Sequence, residues 1–299
     1  MPSLRDYRDR IVSVKSTRKI TSAMKMVAAS KLRRAQEQAQ ASQPYAKAMA
    51  AMMARVAANI TISPASPKLL AGTGAEQRYL IVVVTADRGL CGGFNGNVVR
   101  RATQLISSLR SEGKDISIVC AGRKGRDLLF RFERSNVLKS FTGIIGKNKV
   151  DYTDASQVTN YVLEKFEEGA FDVATIVYSQ FVSVLVQKPV VQQLIPFKLP
   201  DVANDSVNPA QSGPVSPYMF EPAEDEILKE LLPRNIGIQI YGALLDSAAG
   251  EQAARMTAMD NATRNAGDMI KGLSLRYNRA RQAHITKELI EIISGAEAV

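Results

Sequence analysis

Proline is the residue that most limits what this chain can fold into, because one in a helix interior costs about 3 kcal/mol. Of the twelve prolines, nine fall between Pro64 and Pro222, none lies between Pro2 and Pro44, and none follows Pro233. The two ends are therefore free to form long helices and the middle is not. In the first of these helices Pro44 is expected to introduce a kink or a division.

Hydrophobic phase supports two such helices. A heptad laid on the N-terminal segment puts Leu4, Ile11, Arg18, Lys25, Leu32, Ala39, Ala46, Met53 and Ile60 on one seam row, and Tyr7, Val14, Thr21, Ala28, Ala35, Ser42, Met49 and Val56 on the other. Thirteen of the seventeen are apolar, the pattern of a coiled-coil helix. Arg18, Thr21 and Lys25 interrupt the seam where a second apolar set, Ile20, Ala23, Met24 and Val27, occupies another face, so this helix is expected to be contacted from more than one side. Toward the C-terminus, Met256, Met259, Thr263, Ala266, Ile270, Leu273, Tyr277, Ala280 and His284 recur in steps of three and four before the set shifts to Ile285, Leu289 and Ile292. Helix formers dominate from Glu224 to Ile293, which gives a rod of roughly 100 Å. The simplest arrangement pairs the two helices antiparallel, since the segment between them must return the chain to its start.

That middle segment alternates. Tyr79–Thr85, Ile116–Cys120 and Val173–Tyr178 are β-rich and apolar, with helical stretches at Val98–Leu109, Arg123–Phe132 and Ser156–Phe166. The expected fold is α/β: a long antiparallel coiled coil of the terminal helices plus a central Rossmann-like α/β domain with a largely parallel sheet. An edge hairpin is expected from Val182–Gln187 and Val190–Pro196, turning at Pro189. The divisions are residues 1–60 for the N-terminal helix, 61–220 for the central domain with an exposed loop at 198–217, and 221–299 for the C-terminal helix.

Composition excludes much catalytic chemistry. One histidine (His284) and two cysteines (Cys91, Cys120) leave little for a Ser-His-Asp triad, a His/Cys zinc site or a disulfide framework. Cys91 and Cys120 read as buried or incidental thiols, and His284 as a packing or surface residue. The longest apolar run, Leu80–Val84, is far below the ~18 residues that span a bilayer, and the charged first residues lack a secretory signal. A reducing cytoplasm of bacterial type is the simplest compartment.

The glycine-rich DRGLCGGFNG stretch, Asp87–Gly96, follows a strand and precedes a helix, where a doubly wound fold holds a phosphate. It matches neither phosphate-loop spacing, so a tight turn is the stronger reading, with Arg88 at its tip a contact residue. The net charge of +10 is concentrated at one end, with +9 in residues 1–58, +4 in 59–220 and −3 in 221–299. Clustered cations suit a nucleic-acid binder, but here they alternate with apolar residues, which suits a protein sleeve with acidic patches better. A nucleotide-binding α/β enzyme and a basic coiled-coil nucleic-acid binder stand as the alternative functions.

Four stretches carry a family resemblance in order along the chain: ITSAMKMVAASKLRRAQ (Ile20–Gln36), DRGLCGGFN (Asp87–Asn95), EQAARMTAMDNAT (Glu251–Thr263) and LRYNRARQAHITKELIEIISGA (Leu275–Ala296). They resemble the gamma subunits of F-type ATP synthases. Ser22 stands where that family often has Lys, Phe94 where Leu is usual, Gly250 where Ser is usual and His284 where a small residue is common. The plastid members' redox insertion is absent.

The resemblance implies a non-catalytic rotor in the central stalk, with no cofactor, no metal, no nucleic acid and no small-molecule substrate. Its partners would be the alpha and beta subunits, the epsilon subunit and the membrane c ring, and its location the cytoplasmic face of the bacterial inner membrane, as a peripheral protein. Carried over residue by residue, the sleeve contacts are Ile20, Met24, Lys25, Val27, Arg88, Arg255, Arg281, Gln282, Thr286 and Glu288. Tyr218, Phe220 and Glu221 match the foot that faces the c ring and epsilon, and Ile292–Val299 match the tip that turns in an apolar bearing.

Overall fold

The computed structural model describes residues 3–58, 67–146, 149–197 and 224–297. In order, the elements are α1 (Leu4–Ala58), α2 (Lys68–Ala71), β1 (Arg78–Val84), α3 (Phe94–Ser111), β2 (Asp115–Ala121), α4 (Arg123–Leu129), a 3-10 turn (Arg134–Asn136), β3 (Val137–Phe141), α5 (Tyr152–Glu167), β4 (Val173–Phe181), β5 (Gln187–Ile195) and α6 (Glu224–Glu297). Pro44 does not divide α1, and Pro233 lies inside α6. Pro44 is exposed, so the carbonyl its ring deprives of a donor can be met by water. The chain divides into two compact units, one of Met1–Ser30 with Arg255–Val299 and one of Lys31–Ala254.

The larger unit is built on a five-stranded sheet of order β3-β2-β1-β4-β5. Its first four strands are parallel and β5 joins β4 antiparallel, a doubly wound arrangement with an antiparallel edge. The central strand β1, RYLIVVV, is apolar through most of its length because both its faces are covered. Leu80, Val82 and Val84 share a core with Ala155, Val158 and Val162 of α5 and with Ile236, Ile240 and Leu244 of α6. Ile81 and Val83 face the other way, onto Val98, Ala102 and Ile106 of α3. A smaller cluster joins Met49 and Met53 of α1 to Leu228 and Leu232 of α6.

Two features of the edges differ from expectation. The hairpin is β4–β5, turning at Val182–Val186, where the Val182 and Ser183 N–H groups both donate to the Val186 carbonyl. Pro189 lies inside β5, opposite Ser179, and is tolerated because an edge strand needs ladder donors on one side only. Strand β3, with only five residues and an exposed Leu138 and Lys139, carries too weak a pattern to read from sequence.

Electrostatics fasten the start of β1 to the start of β4. Asp172 is 1% exposed and accepts hydrogen bonds from the Gln77 and Arg78 N–H groups, the Thr73 hydroxyl and the Arg78 guanidinium, the last at 2.8 Å. The Arg78 side chain, ahead of the burial that opposes it, holds the Asp172 carboxyl well below the usual carboxylate range.

Candidate functional site

The smaller unit is an antiparallel helix pair, residue numbers falling on α6 as they rise on α1. The Arg8 guanidinium donates to the Tyr277 hydroxyl at 3.3 Å, the Thr263 hydroxyl to Thr21 Oγ1 at 2.7 Å, and Lys25 Nζ to Asp260 Oδ1 at 2.7 Å. Leu4, Tyr7, Ile11, Val14, Thr21 and Ala28, all seam positions, are buried or half-buried in α1 here, as are Ser22 and Met24 beside the seam. Thr21, expected to interrupt the seam, lies within it at 9% exposure. Its hydroxyl donates to the Arg18 carbonyl and accepts from Thr263, so a polar residue is buried with its hydrogen bonds made.

Lys25 is a real departure from the seam. Its ammonium lies outside the helix contact and pairs with Asp260, which Arg264 also approaches at 3.0 Å. The Lys25 hydrogen bond, outweighing the burial that opposes it, lowers the Asp260 pKa, and the Arg8 hydrogen bond lowers that of Tyr277. The seam on α6 continues through Met259, Ala266, Ile270, Leu273, Tyr277 and Ala280, all buried or half-buried. His284 does not continue it. It is exposed and its Nδ1 lies 3.2 Å from Glu288 Oε1.

The expected second apolar face is present. Ile20 and Val27 are 57% and 56% exposed, and Met24 is half-buried between them and the seam. Met26 at 66% widens the exposed apolar surface, and sequence reasoning passed over it. On α6, Arg255 is half-buried and Arg281, Gln282, Thr286 and Glu288 are exposed. The Thr286 hydroxyl donates to the Gln282 carbonyl at 2.9 Å, which fixes its rotamer. Ile285, Leu289, Ile290, Ile292 and Ile293 are all close to half exposed or more. Tyr218, Phe220, Glu221 and the loop 198–217 lie outside the described residues.

In the larger unit the Asp87–Gly96 loop is a turn whose Asp87 and Asn95 side chains are spent inside the fold. Asp87 accepts from the Arg123 N–H with one oxygen and the Gly143 N–H with the other, each at 2.9 Å. These are donors of the kind a phosphate would use, already occupied by a carboxylate. Asn95 Oδ1 accepts from the Ala86 N–H at 2.9 Å, while its amide donates toward the Arg88 carbonyl and Cys91 Sγ. Leu90 at the tip takes a positive φ of 64° and is 65% exposed, beside an exposed Arg88. Cys120 is buried, which pushes its thiol up to about 12, so it is a poor nucleophile at neutral pH. Among the described residues no cluster of His, Cys, Asp or Glu is placed to hold a metal ion, and no described helix is long and apolar enough to cross a membrane.

Two of the unusual residues touch. Phe94, at the start of α3, is buried, and a Cβ built on Gly250 would come 3.2 Å from its Cε2. The larger aromatic is accommodated by the smaller partner.

Comparison with known proteins gives one answer. The family model for ATP synthase matches residues 3–299. The ATP synthase gamma chain of Parvibaculum lavamentivorans is 56% identical over 301 residues and that of Rhodospirillum rubrum 51% over 300, each covering both chains completely. Among solved structures, a central stalk and c-ring chain of the Tetrahymena thermophila mitochondrial ATP synthase is 25% identical, with a TM-score of 0.59 over 81% of this chain and 99% of that one. A Euglena gracilis mitochondrial ATP synthase chain, 20% identical, shares the fold with a TM-score of 0.65 over 99% of this chain and 94% of its own. The chain belongs to the ATP synthase gamma-chain family.

Proposed function

We propose that this chain is the central-stalk rotor of a proton-translocating F-type ATP synthase, turning inside a ring of alpha and beta subunits and coupling proton flow through the membrane c ring to ATP synthesis or hydrolysis on the beta subunits. The observation that carries this reading is the helix pair. It is locked internally at Arg8–Tyr277, Thr21–Thr263 and Lys25–Asp260, yet carries Ile20, Met26 and Val27 exposed on its outside. An internally satisfied pair with unburied apolar positions is suited to turning against a surrounding protein surface.

The chain performs no bond chemistry in this role. Its contribution is an interaction energy with each beta subunit that changes with angle, which biases each subunit's conformation in turn. Ile20, Met24 and Val27 supply apolar contact. Lys25, half-exposed beside Asp260, together with Arg88 and Arg255, supplies positive charge toward acidic segments of the sleeve. Arg281, Gln282, Thr286 and Glu288 offer donors and acceptors near the exposed apolar end of α6, which we assign to the bearing. Tyr218, Phe220 and Glu221 would form the foot on the c ring and epsilon. The chain would then be held at the cytoplasmic face of the bacterial inner membrane by protein contacts.

Affinity capture of the tagged chain from a detergent extract of membranes, followed by mass spectrometry, tests this reading. It predicts recovery of alpha, beta and epsilon subunits and the c ring. Recovery of nucleic acid without synthase subunits contradicts it and favours the basic-helix alternative.

A further inference from the structure

One surface of the larger unit, past the C-terminal end of α4 and at the opposite end of that helix from Arg123, which is bonded to the Asp87 loop, is used by none of these contacts. The segment that contains it, from Arg123 to Lys139, covering α4, the 3-10 turn and the start of edge strand β3, carries six Lys/Arg and two Asp/Glu. Both acids are neutralised within the fold. Glu133 is 7% exposed, with the Arg110 guanidinium at 2.8 Å and the Asn136 amide at 2.7 Å, and Asp127 is paired with Arg126 at 2.9 Å. Arg126 also lies over the Phe130 ring, 6.0 Å from its centroid. Arg131 and Arg134 are exposed.

Between Arg131 and Arg134 stands Phe132. At 86% exposure it is the most exposed large hydrophobic side chain among the described residues, and in the same segment Phe130 and Leu138 are 39% and 48% exposed. Nothing in the packing of the sheet requires a phenylalanine there, because the core position of this stretch is taken by Leu129 at 2% exposure. An aromatic side chain held out on a turn and flanked by arginines offers a protruding tip for an apolar medium bordered by anions. Interfacial lipid takes in a protruding aromatic while cations meet the phosphates around it.

We propose that the α4–β3 edge is a contact surface for anionic phospholipid, with Phe132 entering the headgroup layer and Arg131 and Arg134 engaging phosphate. The proposal goes beyond the rotor reading and stands on different residues, so each can fail alone.

The chain contains no tryptophan, so Phe132→Trp in the full-length chain makes a single reporter. The probes are vesicles of phosphatidylcholine with and without phosphatidylglycerol, containing brominated acyl chains as quencher. The expected result is a blue shift and quenching of the introduced indole with the anionic vesicles only. Adding Arg131→Gln and Arg134→Gln is expected to weaken this partition on the order of thirtyfold, and high salt is expected to cause a comparable loss. Leu185→Trp, also exposed but remote in sequence at the β4–β5 turn, controls for attachment through the basic N-terminal helix, and its indole is expected to stay unquenched. The proposal is overturned if the Phe132→Trp reporter is unquenched while the chain sediments with anionic vesicles, or if the Leu185→Trp reporter is quenched equally. A shift of the Phe132→Trp reporter with a polyglutamate peptide but not with vesicles also overturns it, in favour of an acidic protein partner.

Discussion

Gly250→Ser restores the residue usual in the family at one of two touching departures, and its cost follows from the contact with Phe94. A Cβ at Gly250 would sit 3.2 Å from Phe94 Cε2 and 3.4 Å from Gln187 Cγ, both tighter than or at the limit of ordinary contact. Serine gains about 0.4 kcal/mol over glycine from helix propensity. Overpacking a full core costs about 1–3 kcal/mol, so the net expected loss is about 1–2 kcal/mol. Phe94→Leu alone leaves a gap beside glycine and loses about 1–2 kcal/mol. In the double variant the smaller leucine makes room for the serine, and the two losses offset each other by a coupling of about 1–2 kcal/mol. Urea unfolding of the four chains, followed by circular dichroism at matched m-values, measures that cycle. Single losses that add to within about 0.5 kcal/mol would refute the claim that these two positions exchanged volume.

Other outcomes follow from the same packing and charges. Asp172→Asn removes the charge and replaces one of the two acceptor oxygens that Arg78, Gln77 and Thr73 share with an NH2 donor, and is expected to cost about 2–3 kcal/mol by urea unfolding at pH 7. Because the Asp172 pKa is depressed in the fold, its stabilisation is complete above about pH 4 and is lost as pH falls through the folded-state value, so the variant should show a weaker acid dependence than the parent. Asp246 behaves oppositely. It lines a cavity of about 590 Å³ with Tyr178, Gln192 and Gln239, and burial pushes its carboxyl up to about 6. The folded chain should therefore lose stability as pH rises from about 4 to 6, and Asp246→Asn should gain about 1–2 kcal/mol at pH 7, after allowance for the solvent that reaches the group, with that slope removed. Gly122→Ala places a Cβ 1.9 Å from the Thr85 carbonyl oxygen at a φ of 120°, and expression of soluble, cooperatively unfolding protein at parental stability would contradict that close approach. Met24→Lys in the assembled enzyme should lower proton pumping per ATP hydrolysed, since a cation replaces apolar contact on the face of Ile20 and Val27.

The terminal helices were legible because a seam buried on one side leaves a periodic trace, visible at Ile11, Val14, Ala28 and Leu32. Strands β1, β2 and β4 were legible because burial on both faces leaves nearly unbroken apolar runs. What escaped depends on distant partners. The first third of α6, from Leu228 to Leu244, packs on the sheet through Ile236, Ile240 and Leu244, but IGIQIYGALL is apolar around much of its circumference and shows no single phase. Thr21 looked like a break until Thr263 lay opposite it, and the engagement of Lys25 by Asp260 needed the register of the pair. β3 and the β4–β5 turn are edge features, where half-exposed residues blur the pattern. Of the candidate contacts, Ile20 and Val27 could be read as outward-facing from helical phase, whereas the exposure of Phe132 depends on a turn that phase does not describe.

The central claim is that this chain turns. The most direct measurement fixes a reconstituted alpha–beta–gamma complex to a surface through its beta subunits, attaches a probe to the protruding part of this chain, and follows the probe during ATP hydrolysis. The account predicts stepwise rotation in one direction that stops when ATP is exhausted. Sustained hydrolysis with a stationary probe, in complexes shown to retain the chain, would contradict it.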